Sequence, residues 1–126
     1  MIQNFTIHDR LPGMNEYTTQ QRRNRYAGNL MKRTAQKAVE WEIRASKLKP
    51  IKSPVVILYT FYEPNKRRDK DNIAGFAHKV IQDALVNCGI LRDDGWDCVE
   101  GYEDRFGIDK KHPHIDVVLR YEDGKK

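Results

Sequence analysis

Seven consecutive apolar or β-favouring residues, Val55-Val56-Ile57-Leu58-Tyr59-Thr60-Phe61, constrain this chain more than any other feature in it. A run without polar alternation is typical of a central buried strand, so it belongs at the centre of a sheet. Pro54 precedes it and Pro64 follows it, which fixes its ends. With 126 residues the chain has the length of one domain with a modest core.

The remaining elements are read around that strand. Ile2, Phe5 and Ile7 predict a short opening strand, ended by Leu11-Pro12-Gly13. Residues Asn15 to Asn24 are polar and aperiodic, and read as a loop. From Tyr26 the spacing is helical: Tyr26, Leu30, Thr34, Ala38, Trp41, Ala45 and Leu48 form one stripe, which predicts a core-facing helix with Trp41 in the core. A second helix is expected from Asn72 to Val86, with Ile73, Phe76, Ala77, Val80, Ile81, Ala84 and Leu85 inward and Gly89 just past its end. Two strands, about Cys98 to Arg105 and His114 to Tyr121, close the chain as a hairpin. The order β-α-β-α-β-β predicts an α+β fold: one domain over residues 1–126, with a mixed sheet of about four strands and two main helices. There is no internal repeat, low-complexity tract or long linker.

The chain is 39% hydrophobic and 33% charged, a globular balance with a wet surface. No run has the length of a membrane span, and MIQNFTIHDR lacks the features of a secretory leader, so a cytoplasmic protein is expected, with Cys88 and Cys98 as reduced thiols. Zinc spacing, a serine–histidine arrangement and a phosphate-cradling glycine loop are all missing, which argues against a nucleotide cofactor. His8, His78, His112 and His114 show no metal-ligand grouping. The net charge is +5, and its distribution says more than its size. Arg22, Arg23, Arg25, Lys32, Arg33 and Lys37 crowd the first half, and Lys66, Arg67, Arg68 and Lys70 form a second cluster. Asp93, Asp94, Asp97, Glu100, Glu103 and Asp104 dominate a later stretch. A solvated basic face balanced by an acidic one gives this pattern. So does a protein that binds phosphates and holds a cation.

The densest chemical signal is Arg67-Arg68-Asp69-Lys70-Asp71-Asn72. Asp69 and Asp71 are two apart, so on extended backbone their side chains point the same way. Paired carboxylates between a buried strand and a helix start suit Mg²⁺, which takes one or two carboxylates and completes its shell with water and phosphate. Aspartate and asparagine before a helix also serve as plain N-caps. The flanking cations favour a phosphate-binding role, since a basic rim neutralises the backbone that a metal polarises. Asp93-Asp94-Gly95 reads either as an ordinary turn or as a second acidic group. The preceding helix carries the chain roughly 20 Å, so Asp93 and Asp94 reach Asp69 and Asp71 only if the following loop folds back. Trp96 stands beside this turn, and Cys88 reads as a buried end-of-helix residue.

These segments together resemble the RusA family of Holliday junction resolvases of phages and prophages. The resemblance runs through most of the chain: an opening strand, Leu-Pro-Gly-Met-Asn, a basic helix, RRDKDN, a helix closing with DALVNCGIL, and RDD. It implies a Mg²⁺-dependent endonuclease that works as a homodimer and makes paired cuts in four-way DNA junctions, in recombination and repair. It further implies that Asp69, Asp71 and Asp94 bind the metal, with Asp93 as a supporting acid. Arg67, Arg68, Lys70, Arg22, Arg23 and Arg25 are the expected DNA contacts. Where the family's best-known form has a catalytic lysine, one turn into the helix, this chain has Gly75. Lys79 stands four residues before the aspartate of Asp-Ala-Leu, as the family lysine does, and is the expected replacement, with Gly75 leaving space between it and the metal. Two other functions fit the residues: a basic DNA-binding module without catalysis, and a Mg²⁺ nuclease of different branched-DNA specificity.

Overall fold

The computed structural model describes residues 1–122, in the order β1 (Ile2–Ile7), α1 (Met14–Arg23), α2 (Arg25–Ala45), β2 (Val55–Glu63), α3 (Lys70–Asn87), β3 (Val99–Ile108) and β4 (His114–Tyr121). The sheet order is β1-β4-β2-β3, so β2 is an inner strand as expected, but only its alternate residues from Val55 to Glu63 are buried and its other face is half-buried. It pairs parallel with β3 and antiparallel with β4. Phe5, Ile7, Val55, Ile57, Tyr59, Phe61, Ile115, Val117 and Leu119 line one sheet face and form a single core with the buried residues of α2 and α3. All seven apolar positions predicted for α3 are buried, and Gly89 takes φ +77° just past its end. No helix among the described residues is long and apolar enough to cross a membrane.

The structure corrects the sequence reading in three places. Residues 15–24 are not a loop, because α1 occupies most of them. That helix buries no residue fully, so its sequence shows no apolar period. It is held by Met14 and by Tyr17, whose ring lies 4.6 Å from that of Phe76. Asn24, in extended backbone, ends α1 and caps α2, its side chain accepting from Ala27 N at 2.7 Å.

The stripe read as the inner face of α2 faces outward. The buried positions are Gly28, Ala35, Val39, Glu40 and Ile43, while Tyr26, Leu30 and Trp41 are exposed. The helix is apolar on two sides, and the less continuous side faces the core.

Finally, β3 and β4 are not a hairpin, since β2 lies between them. Residues 109–113 cross the carboxyl end of β2, where Asp109 N donates to Glu63 O at 2.9 Å. The more apolar strand takes the central position. The charged strand with Glu100, Glu103 and Arg105 takes the edge, where charge discourages further pairing.

Candidate metal and nucleic-acid site

A parallel β2–β3 pair needs a crossover, and α3 supplies it. This places the first turn of α3 at the carboxyl end of β2, where open sheets with such crossovers present their ligand sites. Asp69 is the N-cap residue in extended backbone, and Asp71 lies within the first helical turn. The strand-like alternation expected of them therefore does not apply, because they straddle the helix boundary. They nevertheless border one cleft, of about 730 Å³, together with Lys66, Lys70 and Phe106.

Capping does not account for either carboxylate. Asp69 makes no side-chain capping bond, and neither side chain has a hydrogen-bond or ion-pair partner among the described residues. Both are exposed, at a helix end whose partial positive charge favours anions. The role expected of a cap falls partly to Asn72, whose Oδ1 accepts from Asn15 N at 2.7 Å and fastens the start of α1 to the start of α3. A side chain on Gly13 would begin 2.7 Å from Asn72 Oδ1 and 3.0 Å from Arg68 Nη1, so a larger residue there would push the ends of these two side chains aside.

Beneath the cleft is a frame that sequence reasoning missed. Glu63, 6% exposed, accepts from Arg10 Nη2 at 2.8 Å and from Arg68 through Nε at 3.1 Å and Nη2 at 3.2 Å. Arg68 Nη1 also donates to Leu11 O at 3.2 Å and Glu16 Oε1 at 3.3 Å. Arg68 is thus an internal brace joining β2, the 8–13 segment and α1, not a rim cation for DNA. Arg67 beside it is exposed. Lys70 Nζ stands 5.5 Å from the centre of the Phe106 ring at the cleft. Arg22, Arg23 and Arg25 are exposed around the α1–α2 junction.

The third expected ligand lies elsewhere. The loop after α3 does fold back, but it brings Asp94 to the middle of the helix, 3.8 Å from Lys79 Nζ. Lys79 lies eight residues beyond Asp71, about 12 Å along the helix axis. Its Nζ is also 3.5 Å from Asp83 Oδ1, while Lys32 donates to Asp83 Oδ2 at 2.8 Å. Burial raises the Asp83 carboxyl, but the hydrogen bond and charge of Lys32, with Lys79 behind it, outweigh burial and hold it below the ordinary carboxylate range. Among the described residues no three His, Cys, Asp or Glu side chains converge as a metal-holding group, so Asp69, Asp71 and Asp94 do not form one shell.

Other residues are placed as follows. Asp93 and Trp96 are exposed on the same loop, Trp96 to 96%. Gly75 does not leave an open space, because a Cβ there would lie 3.2 Å from Met14 Cε. His78 turns toward β3, with Nε2 2.7 Å from Asp104 Oδ1 and its ring 4.7 Å from that of Tyr59 and 4.6 Å from that of Tyr102. Cys88 and Cys98 are free thiols, and burial pushes the Cys88 thiol up.

By donor chemistry the Asp69–Asp71 pair fits Mg²⁺: two hard carboxylates without competing partners, open to solvent and to a phosphate. Comparison of the chain with models of known protein families and with curated proteins finds no match to either.

Proposed function

We propose that this chain is a Mg²⁺-dependent endodeoxyribonuclease that cuts branched DNA, four-way junctions above all, as a homodimer, in the manner of the RusA family its motifs resemble. One observation carries the reading. Asp69 and Asp71 are unpartnered at the mouth of a cleft although Lys66, Arg68 and Lys70 line it with them. Arg68, one of these cations, is committed to Glu63. Two carboxylates left free among so many cations suit a divalent ion and a phosphate.

A bound Mg²⁺ supplies positive charge at the scissile phosphate. Asp69 and Asp71 hold it, Lys66, Arg67 and Lys70 neutralise the adjoining backbone, and Arg22, Arg23 and Arg25 extend the contact along an arm. Lys79, with Asp94 beside it, meets the strand farther along α3. A two-fold dimer with one site per subunit matches the paired cuts a junction requires. A cytoplasmic setting goes with this reading. The separation of Asp94 from the pair favours a second reading, a DNA-binding module without catalysis. Incubation with synthetic four-way junction, fork and duplex DNA, with and without Mg²⁺, separates them: junction cleavage only with Mg²⁺ is expected, and binding without cleavage would select the second.

A further inference from the structure

The cleft that holds Asp69 and Asp71 also has an apolar lining, for which a metal ion and a phosphate have no use. Phe106, Gly107 and Ile108 border it together with the two carboxylates. Phe106 is half-buried and Ile108 is 49% exposed. They stand two apart on β3, so both side chains project from one face of the strand. β3 is an edge strand, and among the described residues no strand lies beyond it. The Phe106 ring is held from within. It stacks on Phe61 with centroids 5.4 Å apart and planes 20° apart, and Phe61 stacks in turn on Tyr59 at 5.9 Å. Phe61 and Tyr59 are both buried, so the core anchors the ring and presents it at the cleft as a fixed platform. Lys70 Nζ lies over it, 5.5 Å from its centre, and has no hydrogen-bond or ion-pair partner among the described residues. That ammonium is free to turn from the ring to an arriving phosphate.

We infer that the lining formed by Phe106 and Ile108 receives one unstacked nucleobase of the strand whose phosphate is held at Asp69 and Asp71. The cleft is divided as a nucleotide is divided. Lys66, Lys70 and the metal-binding carboxylates suit the phosphate, and a flat ring beside an aliphatic side chain suits the base. The volume of about 730 Å³ falls within the range of sites that enclose small ligands. Every base has a π-face, so a platform of this kind tolerates any sequence. A base inside duplex DNA is stacked above and below, and reaches the ring only by leaving the helix. Leaving costs least where pairing is already interrupted, as at a branch point. The inference rests on the phosphate site of the reading above, and gives that site a physical reason to favour branched over continuous duplex DNA.

The test is equilibrium binding of the full chain to a short oligothymidylate and to a strand of equal length made of abasic residues, which carries the same phosphates without bases. Ca²⁺ replaces Mg²⁺, because it has the same charge but not the strict octahedral preference. Wild type should bind the thymidylate at least about 5-fold more tightly, the low end for stacking one base on an aromatic ring. Phe106→Leu keeps an apolar side chain but removes the π-face, and should abolish this difference while leaving affinity for the abasic strand unchanged. Phe106→Tyr should retain the difference. A strand with 5-iodouracil in place of thymine should, on irradiation, cross-link to wild type at Phe106, a readout that needs no variant to fold. Equal affinity of wild type for the two strands overturns the inference. So does a Phe106→Leu variant that still discriminates or that loses both affinities together, and so do cross-links confined to the exposed Trp41 and Trp96. None of these readouts needs cleavage. Failure of the nuclease reading is seen separately, as base discrimination in a chain that does not cut junctions with Mg²⁺.

Discussion

Arg68 grips Glu63 with two hydrogen bonds, Nε to Oε1 at 3.1 Å and Nη2 to Oε2 at 3.2 Å. The pair fixes the last residue of β2 to the segment that presents Asp69 and Asp71. A planar guanidinium matches a carboxylate in this way and an ammonium does not. The cleft thus stands on a buried ion pair that also clamps Leu11 and Glu16.

Glu63→Gln should therefore destabilise the fold by about 3 kcal/mol, because it leaves two guanidinium groups without their common counter-charge. Urea unfolding followed by circular dichroism measures this. A loss below about 0.5 kcal/mol, the range of surface substitutions, would show that the frame carries no weight.

Asp71→Asn should cost the fold less than about 1 kcal/mol, since it removes only a favourable charge from the first helical turn. Mg²⁺-dependent junction cleavage should fall by at least about 100-fold, the upper end of losses for an outer-shell partner of a metal. Junction affinity should change little. Single-turnover cleavage beside a gel-shift titration gives both numbers, and cleavage at the wild-type rate would remove Asp71 from any metal site.

Binding to duplex arms should weaken steeply with salt, with log K against log[salt] sloping at about −0.9 per neutralised phosphate. Arg22→Ala, Arg25→Ala and Arg67→Ala should each make the slope shallower by about one such step. Lys32→Ala should leave it unchanged, because Lys32 is already paired with Asp83 at 2.8 Å. Equal effects at positions 25 and 32 would contradict this division of the cations.

The parts legible in the sequence are those whose environment is set locally. The central place of Val55–Phe61 and the inner face of α3 follow from apolar pattern alone, and both match the structure. α1 was invisible because Met14 and Tyr17 hold it without a repeating apolar period. The inner face of α2 is not legible in the sequence because the helix carries two apolar faces, and only tertiary packing chooses between them. Sequence-neighbouring strands pair by default, and that default failed where β2 displaced β3 from β4. At the site, Asp69 and Asp71 stand out as residue types at a helix start. Which cation of the Arg67-Arg68 run turns inward depends on Glu63 and Leu11, which the run itself does not reveal. The resemblance suggested one shell for Asp69, Asp71 and Asp94, but the span of α3 keeps Asp94 beside Lys79 instead.

The pairing of Asp83 with Lys32 makes a prediction about pH. The folded Asp83 carboxyl is held below 3.8, so between that lowered value and 3.8 the unfolded chain binds more protons than the folded one. Stability then rises with pH across this window. The contribution is complete above the unfolded value and is lost as pH falls through the folded one. Lys32→Met should lower stability at pH 7 by about 1 kcal/mol, the upper range for a partly exposed pair. The gap from wild type should close as pH falls below the unfolded carboxyl value. Denaturant titrations at several pH values measure it, and a gap independent of pH would mean that the lysine acts through packing of its stem.

Lys79 decides whether the second charged group on α3 takes part in catalysis. Its ammonium is largely exposed and its ion pair with Asp83 spans one turn of the helix, so Lys79→Ala should alter stability by no more than about 0.5 kcal/mol. If its charge meets the strand as negative charge builds on the reacting phosphate, the single-turnover rate should fall much more than junction affinity. His78 and Lys70 are the internal comparisons. His78 points to Asp104 and packs between Tyr59 and Tyr102, so His78→Ala should lower stability and spare the rate of the folded fraction. Lys70 borders the cleft with Asp69 and Asp71, so Lys70→Ala should reduce affinity and rate together. A selective loss of rate at position 70, with position 79 silent, would place the catalytic cation at the mouth of the cleft. Lys79 would then be a surface residue held between Asp83 and Asp94.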